Sequence, residues 1–149
     1  MDGIIVVHKE QGFTSFDVVA KLRGILKQKK IGHTGTLDPD ATGVLPVCLG
    51  CATKLCDMLM DTAKVYRATL SLGKIPDTQD ITGTVPEEHP VTVSEEEVRT
   101  VTDSFVGIIS QVPPMYSALK VNGKKLCDLA REGVEVERKA REITIEKIE

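Results

Sequence analysis

Apolar and polar residues alternate in short runs over the first part of the chain, and these runs predict its first elements. Gly3 to Val7 is a β-branched run that predicts a strand. Thr14 or Ser15 can cap a helix, because the apolar residues that follow are spaced as on one face of a helix. Those apolar residues are Phe16, Val19, Leu22, Ile25 and Leu26.

The middle of the chain contains a polar segment, an apolar segment and then an alternating one. Residues 29–43 form a polar, glycine-rich stretch, which predicts a loop. An apolar run at 44–49 predicts a strand, and residues 52–60 predict a short helix. Residues 64–72 alternate between apolar and polar positions, so we predict another strand there.

The second half of the chain contains two helix signals around one strand signal. Ser94 and Glu97 have capping-box spacing, which predicts a helix that continues to about residue 105. Residues 108–112 predict a strand. A further helix is predicted over 124–132, ended by Gly133 just beyond its last turn.

These elements together predict an α+β fold in one domain over residues 1–149. Residues 74–91 are rich in turn formers, and residues 134–148 are again strand-like. Predicted strands outnumber predicted helices and follow one another closely, which favours a mixed, mainly antiparallel sheet with flanking helices. No internal repeat or low-complexity linker interrupts the pattern.

The distribution of charge tells more than the net charge of −3. Residues 77–103 hold eight acidic residues and one basic residue. Residues 18–37 hold five basic residues, and residues 104–127 hold three, both without an acid. Two basic segments beside an acidic one suit a polyanion bound on one side, although solvated charged faces explain the same pattern.

The N-terminus and the hydropathy predict a cytoplasmic protein without a membrane anchor. Asp2 stands where a signal peptide would carry positive charge. No apolar run approaches the roughly 20 residues that a membrane span needs.

Four cysteines raise the question of a metal site. Cys48 and Cys51 have the spacing of a zinc knuckle. Cys48 lies inside an apolar run, however, Cys56 continues a helical pattern, and Cys127 stands alone. Buried reduced thiols are therefore the preferred interpretation, with a cysteine-based metal protein as a weaker alternative.

The loop at 32–43 combines groups that could bind a nucleic acid and react with it. Glycines permit close backbone approach, and hydroxyls and an imidazole offer hydrogen bonds. Asp38 stands between Leu37 and Pro39, and the proline biases it towards an extended backbone. An ordinary Asp-Pro turn is the simpler interpretation of these residues. Lys64 and Tyr66 also have an ordinary interpretation, as alternate residues of a strand.

The segment Gly32–Gly50, GHTGTLDPDATGVLPVCLG, closely resembles the signature loop of TruB-type pseudouridine synthases. Further segments resemble the family in the same order and extend over nearly the whole chain. They are Gly3–Ile5, Thr14–Ser15, Asp17–Val19, Ala52–Leu55, Lys64–Tyr66, Leu72–Gly73, Pro113–Lys120, Gly123–Leu126 and Ala130–Gly133.

The resemblance implies a pseudouridine synthase-like catalytic domain that isomerises a uridine in the T-loop of tRNA, at conventional position 55, to pseudouridine. Asp38 would be the catalytic residue, Tyr66 would stack on the flipped base, and His33 would fill the place that the base leaves. The implied partner is the tRNA T-stem-loop, with a monomeric protein, no metal and no cofactor. The substrate-binding residues it implies are His33, Thr34, Gly35, Thr36, Leu37, Lys64, Tyr116 and Lys120.

The chain departs from the family pattern in two places. Cys127 stands where the family usually has an aromatic residue. The family also continues beyond residue 149 with a Lys-Gly-Thr-Tyr-Ile-Arg-like motif, whose Arg pairs with the catalytic Asp, and often with a small RNA-binding domain. We therefore expect an N-terminal part with weak or no activity by itself. The alternative hypothesis is a non-catalytic tRNA-binding fragment.

Overall fold

The computed structural model describes residues 1–76, 78, 83–84, 87–117 and 119–149. These residues form two compact units, Met1–Arg67 and Ala68–Glu149. Part of the predicted turn-rich and acidic stretch, including Asp77 and Asp80, lies outside the described residues, as does Ala118 of the third family segment.

The first unit is a three-stranded antiparallel sheet with helices. The strand order is β1-β3-β2, and the central strand β3 directly follows the loop that contains Asp38. The elements are β1 (Gly3–Lys9), α1 (Ser15–Leu26), β2 (Ile31–His33), β3 (Gly43–Leu49), a 3₁₀ helix (Gly50–Leu55) and α2 (Cys56–Met60).

The core of the first unit lies between α1 and the sheet. Thr14, one of the two caps that the sequence predicted, caps α1, and its side chain forms a reciprocal capping box with Asp17. The buried core residues are Val18, Val19, Ile31, Leu45, Val47 and Leu49. Each such side chain stabilises the fold by about 1.5–3 kcal/mol when fully buried.

The second unit is built from small antiparallel ribbons and two helices. The ribbons pair β4 with β5, β6 with β9 and β7 with β8. A capping box of Ser94 and Glu97 opens α3, and Gly133 has a positive φ just after α4. The bounds are β4 (Lys74–Ile75), β5 (Glu87–Glu88), α3 (Glu95–Asp103), β6 (Gly107–Gln111), β7 (Lys120–Val121), β8 (Lys124–Lys125), α4 (Leu126–Arg131) and β9 (Arg141–Ile145).

The predicted α+β class with antiparallel pairing is confirmed, but the strand predicted at 64–72 is absent and the one predicted over 134–148 is shorter. Residues 63–71 have no regular secondary structure and are exposed. A strand needs a partner for its backbone groups, and no strand of the described ranges pairs with this segment. Of the predicted strand-like stretch 134–148, only 141–145 is paired. Across the ranges that the structure describes, we find no helix with the length and apolar character to cross a membrane.

Gly50 closes the first unit at the point where β3 meets the N-terminus. Its φ is 57°, and a Cβ there would lie 2.6 Å from Met1 O and would clash with the Asp2 carboxylate. That carboxylate accepts the backbone N–H of Cys51. A side chain at position 50 would therefore break the contact between the chain start and the 3₁₀ helix.

We expect Gly50→Ala to lower the free energy of unfolding by about 1–3 kcal/mol, because alanine combines a strained φ with a backbone clash. Urea unfolding monitored by circular dichroism measures this change. Gly24→Ala is the matched control, since Gly24 lies in α1 with open space around its Cβ position and should gain about 0.5–1 kcal/mol. Equal stability of the two variants would contradict this account of Gly50.

Candidate active site

Asp38 lies on the loop between β2 and β3, with its side chain exposed. The neighbouring Leu37 is half-buried and packs against the core of the first unit. On the other side, the Ala41 N–H donates to Asp38 O at 3.1 Å and closes a turn. The carboxylate is thus free to meet a ligand, whereas the backbone that carries it is tied to the protein.

The Lys9 side chain anchors this loop through a hydrogen bond to Pro39 O. The side chain is fully buried at the end of β1, with 0% of its surface exposed. The ammonium donates to Phe13 O at 2.6 Å, Glu10 O at 3.1 Å and Pro39 O at 3.2 Å. A buried cation is stable only when its donors are satisfied, and here three backbone carbonyls accept them. Lys9 therefore links β1, the turn before α1 and the residue that follows Asp38.

A second group of hydrogen bonds fixes the residue before Asp38. Ser15 is buried, and its Oγ accepts the Leu37 N–H at 2.9 Å. The Gly12 N–H donates to Pro39 O at 2.8 Å, beside the Lys9 ammonium. Both neighbours of Asp38 are therefore held, Pro39 by the turn that precedes α1 and Leu37 by the first residue of α1.

The other predicted loop residues differ in their exposure. Thr34 is buried, and its hydroxyl and N–H both donate to Pro46 O, at 3.3 and 3.1 Å. It fastens the loop to β3, and a direct contact with a ligand stays a prediction. Thr36 is exposed and Gly35 is half-buried.

His33 ends β2, where it pairs with Val47. The imidazole is half-buried, and its Nδ1 atom is covered without a hydrogen-bond partner. The preceding Gly32 pairs with Cys48, and a Cβ on it would lie 3.2 Å from Cys56 Sγ. The sheet thus places His33 at one end of the Asp38 loop, with a ring nitrogen that is enclosed and forms no hydrogen bond within the protein.

Lys64 and Tyr66 follow α2 in the irregular segment. The Lys64 ammonium donates to Met60 O at 3.0 Å and to Thr62 O at 2.5 Å, so it holds the end of α2. Tyr66 has 74% of its surface exposed. An exposed phenol ring suits stacking on a base, but a strand does not position it as the sequence predicted.

Tyr116 and Lys120 belong to the second unit. Lys120 is exposed on β7. Tyr116 lines a cavity of about 520 Å³ together with Pro113, Met115 and Arg138. The Nε and one terminal nitrogen of Arg138 are covered and lack a hydrogen-bond partner. Both predicted residues are accessible within their own unit, and their part in substrate binding stays a prediction.

The cysteine thiols are free. Cys48 is buried and Cys51 is exposed. Burial, a hydrogen bond to the Cys48 thiol and nearby negative charge raise the pKa of Cys56 to about 11. Among the described residues, no three histidine, cysteine or acidic side chains are grouped as a metal site requires.

Comparison with known proteins supplies the family. The sequence pattern described as TruB family pseudouridylate synthase (N terminal domain) matches residues 23–149. The chain belongs to this TruB family. A tRNA pseudouridine synthase B of Lachnoclostridium phytofermentans is 64% identical over 149 residues, which cover 100% of this chain and 48% of the relative. One of Clostridium perfringens (strain SM101 / Type A) is 56% identical over 150 residues, with 100% and 51% covered. The chain spans about half the length of the curated relatives it matches.

A solved structure supports a pseudouridine synthase-like fold for this TruB-family chain. One chain of the structure titled "Crystal Structure of a Cbf5-Nop10-Gar1 Complex" matches with a TM-score of 0.54 and 32% identity. The match covers 79% of this chain and 31% of that chain.

The sequence interpretation missed the residues that hold the loop of this TruB-family member. Lysine is rarely buried, so Lys9 gave no signal for its position beneath Pro39. Ser15 was considered only as a helix cap, whereas its hydroxyl binds Leu37.

We expect Lys9→Met to lower the free energy of unfolding by about 2–5 kcal/mol, because it removes charge-assisted hydrogen bonds to covered carbonyls. Urea denaturation of the variant measures the loss. Lys54→Met is the control: Lys54 is exposed, and its replacement should stay within about 0.5 kcal/mol of the parent. A loss below about 1 kcal/mol for Lys9→Met would show that the buried ammonium does not hold the loop.

We expect iodoacetamide at pH 8 to label Cys51 at least about tenfold faster than Cys56, because the thiolate reacts and the raised pKa leaves Cys56 protonated. Mass spectrometry of tryptic peptides over time gives both rates. In denaturing urea the two rates should become similar. Equal rates in the folded chain would contradict the burial of the Cys56 thiol.

Proposed function

We propose that the chain carries the catalytic loop of a tRNA pseudouridine synthase, with Asp38 as the reacting carboxylate. The observation that carries this proposal is an exposed Asp38 on a loop whose backbone is held on both sides, within the signature segment of the family. The named relatives are tRNA pseudouridine synthases B, and this supports the same reaction class here.

The reaction is an isomerisation that conserves all atoms. The bond between N1 of the uracil and C1′ of the ribose breaks, and a bond between C5 and C1′ forms. The proton leaves C5, and N1 gains a proton. Aspartate is ionised at neutral pH and is therefore able to act as a nucleophile or a base. Both roles for Asp38 are compatible with its position.

We propose that the target is a uridine in the T-loop of tRNA, at position 55, and that it leaves the stack to react. Extrusion of a base costs a few kcal/mol. The exposed Tyr66 ring offers stacking worth about 1–3 kcal/mol, and the imidazole of His33 would occupy the vacated space.

Charge in the first unit supports an RNA partner. Residues 18–37, which form most of α1 and lead into the loop, hold five basic residues without an acid. Cationic side chains near the site attract phosphates and release counterions on binding. We propose that this surface receives the tRNA stem while the loop bases reach Asp38, and that the chain acts in the cytoplasm as a monomer.

The alternative is a tRNA-binding fragment without turnover. The family pattern places a partner Arg for the catalytic carboxylate downstream of the segment that this chain matches. The two hypotheses differ in one observable, since both predict binding of a T-arm hairpin but only the first predicts loss of the C5 hydrogen.

We expect Asp38→Asn to lower tritium release from a T-arm hairpin with C5-tritiated uridine by roughly 10³-fold or more. Single-turnover conditions with the 149-residue chain in excess allow slow release by the parent to be detected. Asp40→Asn is the matched control, because it removes an exposed carboxylate two residues away on the same loop and should keep release within a few-fold.

Two outcomes would overturn the catalytic proposal. Release that survives Asp38→Asn would remove that carboxylate from the chemistry. Hairpin binding by the parent chain without any release would favour the fragment that binds and does not turn over.

A further inference from the structure

A cavity of about 490 Å³ lies in the first unit, and His33 is one of the residues that line it. Three elements form its walls: α1, the segment leading into β2, and the 3₁₀ helix with α2. A volume of this size is within the range of small-ligand sites. The site residues implied by the family resemblance include His33 but none of the other residues that line it.

The cavity wall is cationic. Arg23, Lys29 and Lys30 line it, against a single lining carboxylate, Asp57. In the part of the chain that the structure describes, neither Lys29 nor Lys30 forms a hydrogen bond or an ion pair through its ammonium. Their backbone groups alone hold the segment, through Ile31 N–H to Lys29 O and Gly50 N–H to Lys30 O. The Lys29 ammonium is therefore available to a phosphate, and that of Lys30, which lies within electrostatic reach of the Asp2 carboxylate, is not held by a hydrogen bond.

Two further polar atoms, which belong to residues that line the cavity, form no hydrogen bond within the protein. Arg23 Nε and His33 Nδ1 are covered and form no hydrogen bond. One terminal nitrogen of Arg23 donates to Ile31 O at 3.3 Å, which fixes the direction of the guanidinium. A covered polar group without a partner costs about 1–3 kcal/mol, so an acceptor entering here would relieve an existing cost.

The cavity also presents an aromatic surface. Phe16 lines it with 58% of its surface exposed, and the Arg23 guanidinium lies 5.5 Å from the centre of its ring. Cations beside an accessible ring are the combination that binds single-stranded nucleotides, with the phosphate on the cations and the base on the ring. A phosphate ion alone would make no stacking contact with the Phe16 ring.

We propose that this cavity binds one nucleotide of the RNA other than the target uridine. Its phosphate contacts Lys29, Lys30 and Arg23, and its base lies against Phe16. This inference rests on the proposed function for its ligand, because it takes RNA as the partner. It adds a second point of attachment at a cavity that His33 also lines, which would fix the register of the RNA relative to Asp38.

The experiment uses the full 149-residue chain with ¹³C-methyl methionine. Met60 lines the cavity, whereas Met58, on the same helix, does not and has 71% of its surface exposed. A T-arm hairpin is titrated, and binding is followed in parallel by fluorescence anisotropy at several salt concentrations. We expect the Met60 methyl resonance to shift on binding and that of Met58 to stay.

A charge variant and a matched control test the cations. Lys29→Gln/Lys30→Gln should remove the Met60 shift and lower the salt slope of log K by about 0.7 for each single-strand phosphate that the variant no longer neutralises. Lys139→Gln removes an exposed charge in the second unit, outside the cavity and outside the basic segment 18–37, and should keep both the shift and the slope.

Each other outcome overturns the inference in a distinguishable way. In the first, anisotropy reports hairpin binding while the Met60 resonance does not shift. That result would show that the RNA does not enter the cavity, and the proposed function would stand. Absence of hairpin binding would remove the proposed function and this inference together. A Met60 shift of equal size and midpoint with inorganic phosphate alone would show that the cavity binds free phosphate. That result would overturn the proposal that it binds a nucleotide.

Discussion

The buried ammonium of Lys9 connects three parts of the first unit that are distant in the sequence. It lies at the end of β1 and donates to the turn before α1 and to Pro39 in the loop. Removing a cation from water is costly, so the fold keeps Lys9 in place only while all three carbonyls surround it. The position of the loop is therefore coupled to the folding of β1 and α1. The same contacts determine where the backbone of Asp38 lies.

The same arrangement explains how an exposed carboxylate can be well placed. Catalysis needs the reacting group held close to its productive geometry while the site stays open to a large substrate. Here the backbone on either side of Asp38 is bound to buried groups, Lys9 and Ser15, and the side chain alone faces outward. Within the first unit Asp38 is exposed, which suits the approach of an RNA loop that we propose.

Local signals predicted much of this fold, and tertiary partners decided the rest. The caps at Thr14 and Ser94 and the helix end at Gly133 follow from residue chemistry within one turn, so the sequence was sufficient for them. The strand predicted at 64–72 was wrong. Alternating apolar and polar residues indicate one apolar face, but a strand also needs a neighbouring strand to pair with. The Asp38 loop was found through its family segment. Its support by Lys9 depends on contacts across 30 residues, which no local pattern contains.

Backbone dynamics of the loop test the central claim most directly, since the account depends on a fixed platform beneath Asp38. ¹⁵N relaxation of the free chain gives an order parameter for each residue. The account predicts values of about 0.85 for Gly35 to Ala41, excluding Pro39, similar to those of β3. Values below about 0.6 in that loop, with β3 rigid, would contradict it.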